Sequence, residues 1–302
     1  MTPGRIPLIL VLLATPLLAA PPERIAEKAG AGEGPAWHDG YLWFTGNNRI
    51  TRRHHATGRI KVWKENAGGA NGLLFDRQGR LVVCEGLNRR VVRYEKDGSV
   101  TVLAERFDGH RLNSPNDLTM DAKGRIYFSD PRYGNRDSME LSEESVYRVD
   151  EPGEITRILG KAEGIQRPNG VLISPDGKYL YVADNNNNTA GGARKLWRFR
   201  VDDLTTKQLL HDWGTSRGPD GLKTDGRRLY VAAGRTTPRP HETAENKGGI
   251  YVLNLEGKLE TFLSISDEEV TNCAFGGPDG KTLFITAGGN LWSVLLPLAS
   301  SR

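Results

Sequence analysis

Arg167-Pro168-Asn169-Gly170-Val171-Leu172-Ile173-Ser174-Pro175-Asp176-Gly177-Lys178-Tyr179-Leu180-Tyr181-Val182-Ala183-Asp184 is the stretch whose reading decides the fold. Two short runs of strand-forming residues flank a Pro-Asp-Gly turn, and that pattern predicts a hairpin. Asn169 precedes the first strand and Asp184 ends the second. A hairpin therefore puts both polar side chains at the same end.

The unit recurs. Glu33-Gly34-Pro35 leads to Asp39-Gly40 and Leu42-Trp43-Phe44, and Asn71-Gly72-Leu73 leads to Gln78-Gly79 and Leu81-Val82-Val83. Asn116-Asp117-Leu118, Asp220-Gly221-Leu222 and Asn272-Cys273-Ala274 head three more units, with turns at Lys123-Gly124, Asp225-Gly226 and Asp279-Gly280. The six opening residues are spaced 38, 45, 53, 51 and 52 positions apart. Four-stranded repeats of about 40 to 50 residues are the mark of a β-propeller. The expected fold is all-β, a six-bladed β-propeller.

Strand by strand, the first blade takes 33–38, 41–46, 49–54 and 59–65, and the second 71–75, 80–85, 90–95 and 99–105. The third takes 116–120, 125–130, 145–150 and 155–160, and the fourth 169–174, 178–184, 195–201 and 207–213. The fifth takes 220–224, 227–233, 249–255 and 259–265. The last has only 272–276, 281–287 and 290–296, one strand short. The segment 23–29 is expected to supply that strand, closing the ring and hiding a sheet edge. Two long connections, 131–144 and 235–248, fall on the same face as the opening residues, where a rigid scaffold usually carries function.

Composition narrows the partners. A formal net charge of +4 over 302 residues is small. Arg52-Arg53 and Arg89-Arg90 are isolated pairs rather than a basic face, so no nucleic-acid partner is expected. Residues 1–20 combine Arg5 with an apolar run and Ala19-Ala20, which reads as a secretory signal peptide and implies a periplasmic or secreted protein. The run is too short for a membrane span, so no stable membrane association is expected after cleavage. Residues 21–302 are then a single propeller domain. The two cysteines, Cys84 and Cys273, fall in strands of different blades and are expected to be buried free thiols. No zinc-type spacing is present.

The chemistry lies in the opening residues. Glu33, Asn71, Asn116, Asn169, Asp220 and Asn272 converge on the channel, and every one offers oxygen. Carboxylates and amide carbonyls are what hard cations such as calcium take. Glu33 and Asp220 together match the charge of one divalent ion; with no cation they would repel each other. Asn71 and Asn272 fit equally well as members of a polar ring.

The motifs Glu33-Gly34-Pro35-Ala36-Trp37, Ser114-Pro115-Asn116-Asp117, Phe128-Ser129-Asp130-Pro131-Arg132-Tyr133-Gly134, Pro168-Asn169-Gly170-Val171, Gly218-Pro219-Asp220-Gly221 and Thr271-Asn272-Cys273-Ala274-Phe275-Gly276-Gly277 resemble the SMP-30/gluconolactonase family across nearly the whole chain. The resemblance implies a six-bladed propeller that holds a divalent cation and hydrolyses sugar lactones. Its ligand set, carried over position by position, is Glu33, Asn116, Asn169 and Asp220. The cation is calcium or another divalent ion such as zinc, manganese or magnesium. Some members carry an Arg two residues before the Asn-Asp asparagine; this chain has Ser114 there, which leaves the substrate's identity open.

The expected reaction is lactone opening, with the cation as Lewis acid and Asp220 as general base. Asp117, Asp130 and Asp184 are candidates to orient the asparagines or accept a proton. His110 and His241 are candidates to touch substrate. Two alternatives share the scaffold: an esterase or phosphotriesterase on the same site, and a propeller that only binds a ligand.

Overall fold

The computed structural model describes residues 20–266 and 269–297. The expected signal peptide, apart from residue 20, lies outside the described residues. Six four-stranded antiparallel sheets follow in chain order. Blade 1 comprises Glu33–His38, Tyr41–Gly46, Arg49–His54 and Ile60–Lys64, and blade 2 Ala70–Phe75, Leu81–Glu85, Arg90–Tyr94 and Val100–Ala104. Blade 3 comprises Leu118–Met120, Ile126–Asp130, Ser145–Glu151 and Glu154–Leu159, and blade 4 Pro168–Ile173, Tyr179–Asn185, Arg194–Arg200 and Asp203–Asp212. Blade 5 comprises Leu222–Thr224, Arg228–Ala233, Gly249–Asn254 and Leu259–Ser264. Blade 6 comprises Val270–Gly276, Thr282–Ala287 and Gly289–Leu295.

Blade 6 takes its outer strand from Glu23–Ala31, which pairs antiparallel with Gly289–Leu295 through Glu23 opposite Ser293 and Arg24 opposite Trp292. The closure expected from the missing strand is present. It leaves neither end of the repeat with an unpaired inner edge.

The apolar residues explain why blades stack. The second strand of each blade is buried on both faces, as in Leu81–Glu85 and Ile126–Asp130, where every residue is buried. Such a strand reads as a continuous apolar run rather than an alternation, because a neighbouring blade covers each side. Each core cluster accordingly joins two adjacent blades. Val82, Cys84 and Leu103 of blade 2 pack with Leu118, Phe128 and Tyr147 of blade 3. Ala31, Phe284 and Leu291 pack with Leu42 and Phe44 across the closure. Cys84 and Cys273 are both buried and free.

Two inner strands are shorter than expected, beginning at Leu118 and Leu222 rather than at the opening residue. Asn116 and Asp220 still bond within their own blades, through Asn116 N–H to the Ser129 carbonyl at 2.9 Å and Asp220 N–H to the Ala232 carbonyl at 2.8 Å. The outer strand of blade 4 begins earlier than expected, at Asp203. One element was not foreseen: a two-stranded ribbon, Arg106–Phe107 with His110–Arg111. Asp108 and Gly109 turn it with φ of 49° and 81°, the left-handed pair that a tight hairpin requires.

Candidate active site in the channel

A single local device sets out the opening residues around the ring. In four blades a glycine follows the polar residue: Gly34, Gly72, Gly170 and Gly221. The Gly72 N–H donates to the Asn116 carbonyl of the next blade at 2.7 Å, and the Gly170 N–H to the Asp220 carbonyl at 3.1 Å. A Cβ at position 170 would stand 2.2 Å from that same Asp220 oxygen. The Asn-Gly pair is therefore no surface turn here. It is the point where neighbouring blades touch backbone to backbone.

The result is a cavity of about 630 Å³ whose walls include Glu33, Asn71, Asn116, Asn169 and Asp220. Asn272 is buried beside them with its Oδ1 occupied by the Cys273 N–H at 2.9 Å, while its Nδ2 reaches Glu33 Oε2 at 3.4 Å. It braces Glu33 rather than offering an oxygen to the cavity. Asn71 Oδ1, Asn169 Oδ1 and Asp220 Oδ1 are buried without a hydrogen-bond partner. A buried unsatisfied polar atom costs about 1–3 kcal/mol, so three from three blades in one cavity mark a place built for something else. Among the described residues no three His, Cys, Asp or Glu side chains gather into a metal cluster. Amide and carboxylate oxygens dominate instead, the donor set of a hard cation.

Charge points the same way. Burial, then the negative charges of Asp220 and Asp117, push the Glu33 carboxyl well above its usual range. Burial likewise lifts Asp220 to about 7, against the pull of the Arg217 guanidinium bonded to its Oδ2. Burial also raises Asp117, whose Oδ1 takes the Leu118 N–H at 2.9 Å. Burial disfavours the charged form of all three carboxyls, and the Coulombic influence of Asp220 and Asp117 adds to it at Glu33.

Asp130 and Asp184 act on the backbone. Asp130 accepts the Asn113 and Ser114 N–H groups, each at 2.7 Å, and Asp184 accepts the Arg167 N–H at 2.8 Å and the Gln166 N–H at 3.2 Å. Each clamps the turn just ahead of a channel asparagine. Asp130→Asn presents an amide N–H to one of those backbone donors. The expected loss is about 2 kcal/mol of stability by urea unfolding, and an unchanged midpoint would mean that the clamp contributes nothing.

His241 lines the mouth, where its carbonyl accepts a bond from Arg194 at 2.8 Å. His110 corrects the expectation made for it. It is exposed on the unforeseen ribbon and does not line the cavity, because Asp108-Gly109 folds that connection back on itself.

The mouth also holds residues that no repeat or spacing marks out. Arg217, Arg235 and Arg239 share Glu269, at 3.3, 2.6 and 3.2 Å. Arg217 also donates to the Val270 carbonyl at 2.9 Å, so it is fixed while it holds Asp220. Tyr133, from the 131–144 connection, lines the same cavity. Burial, then the charge of Asp220, keep its phenol well above the ordinary value and hence protonated.

The family model described as the SMP-30/gluconolactonase/LRE-like region matches residues 31–289. The chain belongs to this family. Its relatives include a gluconolactonase of Zymomonas mobilis, 27% identical over 91% of this chain and 81% of that protein. Another is the pentonolactonase XacC of Haloferax volcanii, 26% identical over 85% and 81%. Among solved structures, the gluconolactonase XC5397 of Xanthomonas campestris superposes with a TM-score of 0.77 at 28% identity, covering 94% of this chain and 97% of its own. A calcium-binding regucalcin of Agrobacterium tumefaciens shares the fold, with a TM-score of 0.70 at 20% identity over 96% and 98%. Within the family's propeller, most motif residues of this chain stand on the inner strands or directly before them, while residues 128–134 run from the second strand of blade 3 into the 131–144 connection. The long connections form the rim.

Proposed function

We propose that this SMP-30/gluconolactonase family member is an enzyme that hydrolyses a sugar lactone, using a divalent cation, calcium first among the candidates, held by Glu33, Asn116, Asn169 and Asp220. The observation that carries the proposal is that Asn169 Oδ1 and Asp220 Oδ1 are buried without partners in one cavity that Glu33 and Asn116 also line. Lactonase relatives similar over most of the chain support the choice of bond.

When bound, the cation supplies Lewis-acid polarisation of the lactone carbonyl. The chain's own residues do the rest. Asp220 Oδ1, the oxygen that Arg217 leaves free, accepts a proton from the attacking water. The water oxygen bonds to the carbonyl carbon, and as the ring C–O bond breaks Asp220 returns the proton to the departing ring oxygen, which becomes the product's hydroxyl; the new carboxylic acid then ionises and releases one proton at neutral pH. Arg217, with Nη1 on the Val270 carbonyl and Nε towards Glu269, keeps Asp220 in place through the cycle. Export to the periplasm or beyond is part of the proposal and rests on residues 1–20 alone.

The test is proton release from glucono-δ-lactone and a pentonolactone, measured over the spontaneous rate. Turnover should appear with calcium, vanish under excess chelator and return on adding calcium back. No rate above background at saturating calcium overturns the lactonase assignment, and a rate indifferent to chelator overturns the cation.

A further inference from the structure

The Tyr133 hydroxyl stands between two groups that make opposite demands on it. It lies 3.3 Å from the Asn185 carbonyl oxygen and 3.0 Å from Asn169 Nδ2. A carbonyl oxygen has only lone pairs to offer, so the phenolic proton must point at Asn185. On its other side the phenol is then an acceptor. It can accept only from the NH2 end of the Asn169 amide. That polarity turns Asn169 Oδ1 away from Tyr133, to where it is buried with no hydrogen-bond partner. With the amide reversed, Oδ1 would oppose the phenol's lone pairs, and the cavity would meet an NH2 group that repels cations.

Tyr133 is itself held firmly. The backbone N–H of Arg132 and the guanidinium of Arg136 both bond Glu144 Oε1, and so does Arg167 of the turn leading into blade 4, at 3.1 Å. Arg132 also donates to the Asn113 carbonyl at 3.0 Å, and Arg89 pins the middle of the connection through the Ser138 carbonyl at 3.1 Å. The Arg167 guanidinium carbon lies 5.5 Å from the centre of the Tyr133 ring. Phenol and amide are thus presented to each other by one connected network. Outer partners of this kind set the orientation, and so the affinity, of metal ligands.

We propose that Tyr133 is a positioning residue that fixes the oxygen end of Asn169 toward the channel and thereby sets how tightly a divalent cation is held. The proposal rests on the cation reading above.

Tyr133→Phe removes only the hydroxyl. Calcium titration calorimetry on the full chain should show the dissociation constant rising about tenfold or more, the range seen when such outer partners are lost. The same change in an Asn169→Asp background should cost no more than about twofold, because a carboxylate presents oxygen whichever way it turns. A Tyr133 that merely supported the fold would cost the same factor in both backgrounds. That result, or wild-type affinity in Tyr133→Phe alone, overturns the assignment. If neither the wild type nor Asn169→Asp binds calcium, manganese or magnesium, the cation reading falls and takes this proposal with it.

Discussion

Asp220→Asn is expected to fold, to lose at least about a thousandfold in lactone turnover, and to melt at the same temperature with or without calcium. On the proposed mechanism the substitution keeps the shape but removes one negative charge and the proton acceptor, and exchanges a carboxylate ligand for a weaker amide one. General base catalysis is typically worth about 10²–10⁴-fold, and the weakened charge complement at the cation adds to that. Stability is a contest between two terms. Taking one partner from a buried ion pair costs about 3–5 kcal/mol, which the Arg217 guanidinium would register. Against that, Glu33 loses the neighbour whose charge helps to raise it, so the cation-free protein is relieved of a repulsion. A ligand at about 100 times its dissociation constant stabilises the wild type by about 2.7 kcal/mol, and that increment is what the variant should lack. Initial rates and paired melting curves decide the matter. A variant keeping a tenth of the activity would move proton acceptance elsewhere, and Asp117, whose charge bears on both Glu33 and Asp220, is the first carboxylate to examine.

Gly170→Ala should cost about 3 kcal/mol and weaken calcium binding at least tenfold, although it adds a single methyl group. That methyl would sit 2.2 Å from the Asp220 carbonyl oxygen and 2.7 Å from a Leu222 methyl carbon. The first of these neighbours is backbone, so no rotamer change relieves it, and overpacking of this kind costs about 1–3 kcal/mol or more. The strain must go into parting blade 4 from blade 5, which separates Asn169 from Asp220. Gly177→Ala is the control. Gly177 has a φ of +71° at the hairpin turn, with nothing within 4 Å of an added Cβ. Its cost is the left-handed backbone alone, about 1–2 kcal/mol, with calcium affinity unchanged. Urea unfolding and calorimetry on the two variants separate the effects. Equal behaviour would deny the glycine its place at the blade contact.

The contrast between these glycines marks what the sequence could and could not tell. The blade count, the strand order and the closure by Glu23–Ala31 were legible because a repeat states them six times over. The opening residues were legible for the same reason. What Asn-Gly does was not, since the same dipeptide signals a tight turn, and only the ring puts a neighbour's carbonyl where Cβ would be. Arg217 stands three positions before Asp220 and carries no sequence signal of its own, because nothing periodic marks a residue whose partner is set by a loop. Tyr133 lies in the 128–134 stretch with no sequence sign of its role, since spacing along a connection does not say which blade it leans on. The Asp108-Gly109 pair did carry its own signal. It is a hairpin dipeptide, and giving it that weight would have taken His110 out of the channel.

The pairing of Glu23–Ala31 with Gly289–Leu295 has a consequence in time as well as in shape. It joins segments from nearly opposite ends of the sequence, the kind of contact that forms late, because the intervening chain must be ordered before such a loop closes at tolerable entropic cost. Glu33 follows that strand almost at once. Its brace Asn272 lies beyond the join, as does Thr271, whose hydroxyl donates to the Gly32 carbonyl at 2.7 Å. The seam therefore runs through the channel site. Five finished blades hold most of the oxygens yet lack their final geometry, so a partly folded chain has no partly working centre, and activity reports the moment the ring shuts.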